Sequence, residues 1–372
     1  MHDAWISQRL SYFDELNAGF RRIYELSRNL KNPINLVVGQ PHFDVPEPIK
    51  QTAITAIQRG HNSYAPTQGL VALRDHIKAD LMRRYGDVER DVVITGGTMA
   101  ALNLALLATL NPGDEVLLFD PCFMAYGPMV RLFGGVPVMV DTYPDFQIDP
   151  ERVKAAITKR TKAMIMCTPG NPTGVIQKIE VVKEVAKLAM HRRILLICDE
   201  IYSTFCYDEP FVSPAAYNPE VLVASSFSKT HGMTGWRVGY AHGPRRLIDM
   251  MTRVQLVTYV CGPNFAQHAA LFAWDFDMTP YREEYHRKRD RFLHGLDREH
   301  YHVVKPGGAF YFFIPAPWGT SNEFVEACIT QNLMVLPGTI FSERDTHFRV
   351  SYAATDETLD QGLEVLNRLA KR

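Results

Sequence analysis

The chain has 372 residues, of which 46% are hydrophobic and 22% are charged, as in ordinary globular proteins with one large core or two domains. Its formal net charge is -1 and its isoelectric point is near 6.9, so we expect no nucleic-acid partner. The longest apolar runs, such as residues 100–110, are too short to span a bilayer, so we expect no membrane partner.

Five short apolar runs predict buried strands, because each run is nearly continuous rather than alternating. They cover residues 91–95, 115–119, 163–167, 194–198 and 221–224. Helical patterns lie between several of them, over residues 98–110, 150–157 and 179–190. This order predicts an α/β fold, in which a mainly parallel sheet is covered by helices on both faces.

The pattern changes after residue 263. Residues 281–297 predict a helix whose many charges form a solvated face, and residues 309–314 and 347–352 predict two further strands. These segments indicate a smaller α+β domain. We place the large domain at residues 41–285 and the small domain at residues 1–40 plus 286–372, and we expect a helix over residues 10–30 to pack with the C-terminal part.

Six cysteines show no CxxC or metal-ligand pairing, which predicts reduced thiols, no metal site and a cytoplasmic protein. Residues 1–5 lack the charged-then-apolar pattern of a signal peptide. The HExxH, GxSxG and GxGxxG motifs are absent, so the commonest signatures of metalloproteases, serine hydrolases and dinucleotide-binding proteins are not present.

Polar residues follow four of the predicted strands, at the edge where open α/β sheets bind ligands. The glycines of residues 95–98, Thr-Gly-Gly-Thr, would let backbone amides approach a phosphate, although Thr98 would also serve as a helix N-cap. Residues 168–174, Thr-Pro-Gly-Asn-Pro-Thr-Gly, would equally form a rigid turn. Asp199 ends a strand, where a carboxylate is costly unless it is paired, and capping is the plain alternative.

Lys229, just past the fourth of these strands, completes a pattern that fits pyridoxal phosphate (PLP). Its amine can form a Schiff base with an aldehyde, and nearby hydroxyls and Arg237 can hold a phosphate. Asp199 could pair with a protonated pyridine nitrogen, while Asn171 and Tyr202 could bond the ring oxygen. A surface lysine on a loop is the alternative when Lys229 is considered alone.

Whole segments of the chain, from about residue 35 to about residue 355, resemble the class I/II aminotransferases. This is the aspartate-aminotransferase superfamily, with the type I PLP fold. The matching runs are VVGQPHFDVP (37–46), YAPTQGLVALR (64–74), ITGGTMAALNLAL (94–106), NPGDEVLLFDPCFMAY (111–126), TPGNPTG (168–174), CDEIY (198–202), SFSKTHGMTGWRVGY (226–240) and FRVSYA (348–353).

The resemblance implies a role for each matching residue. Lys229 resembles the Schiff-base lysine, and the other implied cofactor contacts are Gly97, Thr98, Phe123, Asn171, Asp199, Tyr202, Ser226 and Arg237. The implied substrate contacts are Gly39, Asn171 and Arg349, of which Arg349 grips the α-carboxylate. Tyr64 matches the tyrosine that reaches the cofactor phosphate of the neighbouring subunit, which implies a homodimer with shared active sites. For Tyr64 and Phe123, core packing is the alternative.

Two positions depart from the family pattern. Phe123 stands where Tyr or Trp often stacks on the cofactor ring, so stacking should survive without a polar group. His42 stands where Asp is frequent, in a loop near the substrate. The second departure therefore bears on specificity more than on chemistry.

The reaction that the resemblance implies is transamination between an amino acid and a 2-oxo acid. Aspartate, or a broad range of aspartate and aromatic donors, is expected with 2-oxoglutarate as acceptor. A dicarboxylate donor would need a second cation near its side chain, and Arg21, Arg22 and Lys31 are candidates by position only. Tyr12, Phe13 and Phe43 are candidates for an aromatic pocket on the same basis. A PLP-dependent carbon–sulfur β-lyase and a non-catalytic regulator with the same fold are the alternatives.

Overall fold

The computed structural model describes residues 7, 10, 25, 26, 28, 30–86 and 89–371. Its strands are β1 (Ile34–Asn35), β2 (Arg90–Thr95), β3 (Glu115–Asp120), β4 (Val136–Asp141), β5 (Thr161–Cys167), β6 (Leu195–Asp199), β7 (Leu222–Ser226), β8 (Gly239–Pro244), β9 (Tyr311–Pro315), β10 (Leu333–Met334), β11 (Leu336–Pro337) and β12 (His347–Ser351). The predicted helix over residues 10–30 lies, apart from single positions, outside the described residues.

Twelve α-helices have both of their ends in the described part of the chain. They are α1 (Glu47–Gln58), α2 (Val71–Tyr85), α3 (Thr98–Thr109), α4 (Tyr126–Leu132), α5 (Pro150–Ala156), α6 (Ile179–Arg192), α7 (Phe227–Thr230), α8 (Arg245–Thr258), α9 (Asn264–Ala273), α10 (Thr279–Gly295), α11 (Ser321–Thr330) and α12 (Asp356–Ala370). None of the helices in this part of the chain is both long and apolar enough to cross a bilayer.

A seven-stranded sheet forms the centre of the molecule, with strand order β2-β8-β7-β6-β5-β3-β4. The pairs from β7 to β4 are parallel, whereas β8 is antiparallel to both of its neighbours. Connections through helices place these helices on the two faces of the sheet. The predicted α/β fold with a mainly parallel sheet is therefore confirmed.

Buried strands of this sheet serve two cores at once. Along β3, Leu118 packs into the core formed with α3 and α8, while Leu117 packs into the core formed with α5 and α6. Along β5, Ile165 packs into the first of these cores and Met164 into the second. Since successive side chains of a strand point to opposite faces, a strand covered on both faces must be apolar throughout. This is the physical reason why these segments read as continuous apolar runs.

Another core, rich in aromatic residues, lies beneath the three-stranded sheet β11-β12-β9, whose strands pair antiparallel. Leu36, next to β1, joins this core, and β1 pairs in parallel with β10. The N-terminal segment of residues 34–36 is therefore built into the C-terminal part of the chain. Helix α10 crosses the predicted boundary at residue 285, so the exact division into domains stays a prediction.

Candidate active site

A cavity of about 480 Å³ opens where the strands of the large sheet end, and the smaller sheet closes its other side. In a parallel sheet the carboxyl ends of neighbouring strands meet at one edge, so residues far apart in sequence converge there. The predicted site residues that line the cavity are Gly39, Thr98, Phe123, Asn171, Asp199, Tyr202, Lys229, Arg237 and Arg349.

Lys229 lies on α7, a single helical turn directly after β7. The Ser226 hydroxyl caps this turn by accepting a hydrogen bond from the Ser228 amide at 3.2 Å. The Lys229 amine donates a 2.6 Å hydrogen bond to the Gly39 carbonyl. Burial, followed by the nearby positive charges of two arginines, lowers the pKa of Lys229 to about 8, so near neutral pH it holds far more of the nucleophilic, neutral amine than an ordinary lysine does.

Asp199 is the last residue of β6 and is buried. Its two carboxylate oxygens accept hydrogen bonds from the Tyr126 hydroxyl at 2.7 Å and from the Ile201 amide at 3.1 Å. Burial raises the pKa of Asp199 to about 6, against the opposing effect of these hydrogen bonds. Above pH 7 the group is therefore mostly ionised, as a partner for a cationic ring nitrogen must be.

The N-terminus of α3 forms a cradle that suits a phosphate. Gly97 caps the helix with φ of 94°, and a Cβ added there would lie only 2.7 Å from Nη2 of Arg237. Arg237 holds its guanidinium in place by donating to the carbonyls of Thr234 and Gly96, both at 2.8 Å. The Thr98 hydroxyl is buried and has no hydrogen-bond partner among the described residues. A bound phosphate would meet the helix amides, this hydroxyl and the guanidinium.

Arg349, on β12, is a buried cation that forms no ion pair with any described carboxylate. Its guanidinium donates to Oδ1 of Asn171 at 3.0 Å and to the carbonyl of Val37 at 2.8 Å. It also lies over the rings of Tyr311 and Phe341, at 4.5 and 4.7 Å from their centroids. Its Nε has no partner in the described structure. A buried cation without a counter-ion is costly, so the site is suited to receive an anion such as a carboxylate.

Three predicted site residues do not line the cavity. Gly97 lies behind the Arg237 guanidinium, as described above. Ser226, the N-cap of α7, lines a neighbouring cavity. Ser228, two residues later, lines the active-site cavity. Tyr64 lies between α1 and α2 with 82% of its surface exposed, so core packing does not account for it.

Comparisons with known proteins agree with this geometry. The family model of class I and II aminotransferases matches residues 31–366. The chain is 37% identical to an aspartate/prephenate aminotransferase from Thermus thermophilus, with 94% of each chain covered. It is 32% identical to aromatic-amino-acid aminotransferase 2 from Thermococcus litoralis, covering 94% of this chain and 95% of the relative.

Among solved structures, the chain resembles the Thermus thermophilus aspartate aminotransferase with maleate, with a TM-score of 0.89 and 35% identity over 98% of this chain and 99% of the other. The protein belongs to the class I and II aminotransferases. The predictions of an enzyme, of transamination and of PLP dependence are thereby confirmed. The β-lyase and the non-catalytic regulator find no support in these names.

Two buried tyrosines of this aminotransferase were not singled out from the sequence. Tyr126 bonds Asp199, and Tyr311 shares a 2.9 Å hydrogen bond with the Tyr202 hydroxyl while its ring supports Arg349. Tyr126 follows Phe123 by three residues in a matched segment, so its position on α4 near that ring was the available signal. Tyr311 follows no motif, and only the packing of β9 against the large domain reveals its place.

Only two of the candidates for a second cation or an aromatic pocket, Lys31 and Phe43, are among the described residues, and neither lines the cavity. Arg21, Arg22, Tyr12 and Phe13 lie outside the described residues. Lys31 is exposed and does not line the cavity of the aminotransferase. Phe43 packs against Tyr281, with ring centroids 4.5 Å apart, outside the lining.

Proposed function

We propose that this aminotransferase prefers L-amino acids with aromatic or other large apolar side chains as donors. The observation that carries the proposal is the distribution of charge along the cavity. Its described lining contains three cations, Lys229, Arg237 and Arg349, and each has a proposed task at the amine, the phosphate or the α-carboxylate. None of them remains for a second carboxylate of the donor.

The rest of the lining is mostly apolar and would favour a large apolar side chain. It includes Val37, Met99, Met124, Ile201, Met334 and Leu336. The relative from Thermococcus litoralis is named an aromatic-amino-acid aminotransferase, in line with this preference, whereas the relative from Thermus thermophilus is named for aspartate and prephenate. Aspartate as donor and 2-oxoglutarate as acceptor stay predictions, since their distal carboxylates would need a cation from residues 1–24 or from a partner subunit.

We propose that the residues at the strand ends hold PLP, which supplies an electron sink for the substrate α-carbon when it is bound. The proposed contacts are Asp199 at the ring nitrogen, Asn171 and Tyr202 at the ring oxygen, Phe123 on the ring face, and Gly97, Thr98, Ser226 and Arg237 at the phosphate. Lys229 is the proposed point of covalent attachment. For Ser226 the support is weaker, because its hydroxyl already caps α7.

The chain's own groups then orient the substrate and move its proton. Arg349 binds the α-carboxylate, beside the backbone of Gly39, and so fixes the α-carbon relative to the cofactor. The neutral Lys229 amine would take the proton from the substrate α-carbon and hold it on Nζ. Its lowered pKa suits this task, because near neutral pH a larger fraction of the amine is unprotonated than in an ordinary lysine, and only the unprotonated amine can accept a proton.

A panel of amino donors, each added to the PLP-loaded protein, tests the preference. Conversion of the cofactor to its amine form is followed by absorbance, so no acceptor is needed. We expect phenylalanine, tyrosine and leucine to convert the cofactor at lower concentrations than aspartate. Lys229→Ala should abolish conversion with every donor. Faster conversion by aspartate than by any apolar donor would refute the proposed preference, and normal turnover of Lys229→Ala would refute its catalytic role.

We also propose a homodimer in which Tyr64 completes the partner's active site. Support comes from the exposure of Tyr64, which is 82% accessible although its loop is held to the start of α9 by a 3.0 Å hydrogen bond from the Asn264 side chain to the Ser63 carbonyl. Val257, at the end of α8, is 81% exposed. Mixing inactive Lys229→Ala and Tyr64→Ala chains should regenerate activity in hybrid dimers, and a monomer in light scattering would refute the assembly.

Two further proposals concern location and domains. Six free cysteines support a cytoplasmic protein, since reducing compartments keep thiols unpaired. The core beneath the small sheet consists mainly of Leu36 and residues 292–370, and two cores of the large sheet lie within residues 93–251, which supports the division into residues 41–285 and residues 1–40 plus 286–372. Fractionation of cells that express the native chain tests the first proposal, and recovery with a secreted fraction would contradict it.

A further inference from the structure

The segment of residues 36–44 passes over Lys229 and is anchored to β12 at its start. The Ser351 amide donates to the Leu36 carbonyl at 2.8 Å. Arg349 donates to the Val37 carbonyl at 2.8 Å. Two residues later, the Gly39 carbonyl accepts the 2.6 Å hydrogen bond from the Lys229 amine. The position of this carbonyl depends on how both ends of the segment are held.

His42 holds the other end of the segment against helix α10. Its backbone N–H donates to the Tyr285 hydroxyl at 3.1 Å, and its Nδ1 lies 3.0 Å from the same oxygen. Its Nε2 lies 3.0 Å from Oε1 of Glu284 and 2.9 Å from Nζ of Lys288. Four contacts from one residue to one helix make His42 the main polar anchor of this end.

The partners of His42 form one face of α10, because positions 284, 285 and 288 follow helical spacing. Lys288 has only 2% of its side chain exposed, and it also donates to the Ala354 carbonyl and pairs with Glu284 at 3.2 Å. A buried ammonium needs such partners to offset its lost hydration. Neither Lys288 nor His42 lines the active-site cavity, so their role there can only be indirect.

We propose that His42 is a positioning residue: by fixing residues 36–44 to α10, it places the Gly39 carbonyl where it receives the amine of Lys229. The inference rests on the proposed role of Lys229 as the reactive amine. A carbonyl bonds a charged ammonium more strongly than a neutral amine, so this contact favours the protonated form. Loosening the segment should therefore release the amine and lower its pKa.

Acetylation of the full-length protein tests this directly. The protein is loaded with pyridoxamine phosphate, which has no aldehyde and leaves Lys229 free. The rate at which the Lys229 amine reacts with acetic anhydride is measured by peptide mass spectrometry at a series of pH values. The exposed Lys187 on α6 serves as the internal standard. In His42→Ala we expect the titration midpoint of Lys229 to fall by about one pH unit, with a labelling rate at pH 7 up to about tenfold higher.

Matched variants separate positioning from general loosening. His286→Ala removes a histidine from the same helix whose ring contacts Asp208, Asp290 and Tyr207, so the Lys229 midpoint of this variant should equal that of the wild type. Tyr285→Phe keeps the ring but deletes the hydroxyl that bonds His42 twice, and should lower the midpoint by a smaller amount. Aspartate is frequent at this position in the class I and II aminotransferases. His42→Asp offers Lys288 a hydrogen-bond acceptor, so it should return the Lys229 titration midpoint to the wild-type value.

An unchanged midpoint in His42→Ala and in Tyr285→Phe would overturn the proposal. So would an equal fall in His286→Ala, because that result would indicate loosening of α10 as a whole. If His42→Ala does not fold, Tyr285→Phe alone decides. The labelling experiment needs no turnover. A donor panel that contradicts the proposed donor preference would therefore leave the measured titration midpoint of Lys229, and the role of His42, unaffected.

Discussion

Gly97→Ala offers the sharpest test of the phosphate cradle. A methyl group at this position would lie 2.7 Å from Nη2 and 3.3 Å from Cζ of Arg237. The contact is too short for any real Cβ, so the guanidinium must move away from the place where a phosphate would meet it. The backbone also opposes the change, since φ of 94° with ψ of 175° is almost confined to glycine and costs about 1–3 kcal/mol for alanine.

The expected loss of cofactor affinity follows from the displaced guanidinium. A hydrogen bond to a charged group is worth about 1.5–3 kcal/mol, and about 1.4 kcal/mol corresponds to a factor of ten. We therefore expect Gly97→Ala to raise the dissociation constant of PLP by roughly ten- to hundredfold. The constant is measured by titrating cofactor-free protein with PLP and following the absorbance of the bound form.

Gly113→Ala is the matched control. Gly113 also has a positive φ, 87°, but a Cβ there meets nothing within 4 Å. Alanine at this position should cost about 1–2 kcal/mol of stability through the backbone alone and leave PLP affinity unchanged. Equal PLP affinity in Gly97→Ala, Gly113→Ala and the wild type would refute the argument that Arg237 and the α3 cap form the phosphate site.

Three other changes have defined outcomes. Arg349→Lys cannot reproduce a two-pronged contact with a carboxylate, so the KM for every donor should rise about 10- to 100-fold, and an unchanged KM would contradict the assignment. Tyr126→Phe removes a donor to the ionised carboxylate of Asp199, so the acid limb of the pH–rate profile should move to higher pH; a shift to lower pH would be inconsistent with that bond. Burial raises the pKa of Glu200 from 4.5 to about 7, so the folded protein binds more protons than the unfolded chain between these values and loses stability as pH rises through them. Glu200→Gln should therefore resist urea better than the wild type at pH 8, by about 1–3 kcal/mol, with the difference vanishing near pH 4; equal midpoints at pH 8 would disprove the effect.

The strands that were predicted correctly are those buried on both faces. Strands β3, β5 and β6 read as apolar runs because both of their surfaces meet helices. Strand β4 (Val136–Asp141) was not predicted: it lies at the edge of the sheet, is mostly half-buried and contains Pro137. Strand β8 (Gly239–Pro244) was also missed, since its glycines and His242 have low strand propensity and its place depends on pairing with β2 and β7.

The cofactor chemistry was readable because its residue types occur in short local motifs. Lys229 with Arg237, and Asp199 with Tyr202, lie within a few residues of each other at strand ends, so their order along the chain is itself the signal. The sequence alone therefore determined the fold class and the cofactor, whereas the family comparisons decided for transamination over the β-lyase alternative.

Only the tertiary structure decided how these groups are held. The Tyr126–Asp199 bond, the Tyr202–Tyr311 pair and the meeting of Lys229 with Gly39 join residues 73, 109 and 190 positions apart in sequence. Such contacts depend on the order of the strands and on how the large and small sheets pack together, and neither is encoded in local periodicity. The lack of a further cation for the donor side chain in the described lining likewise emerged only when every cation in the cavity could be placed.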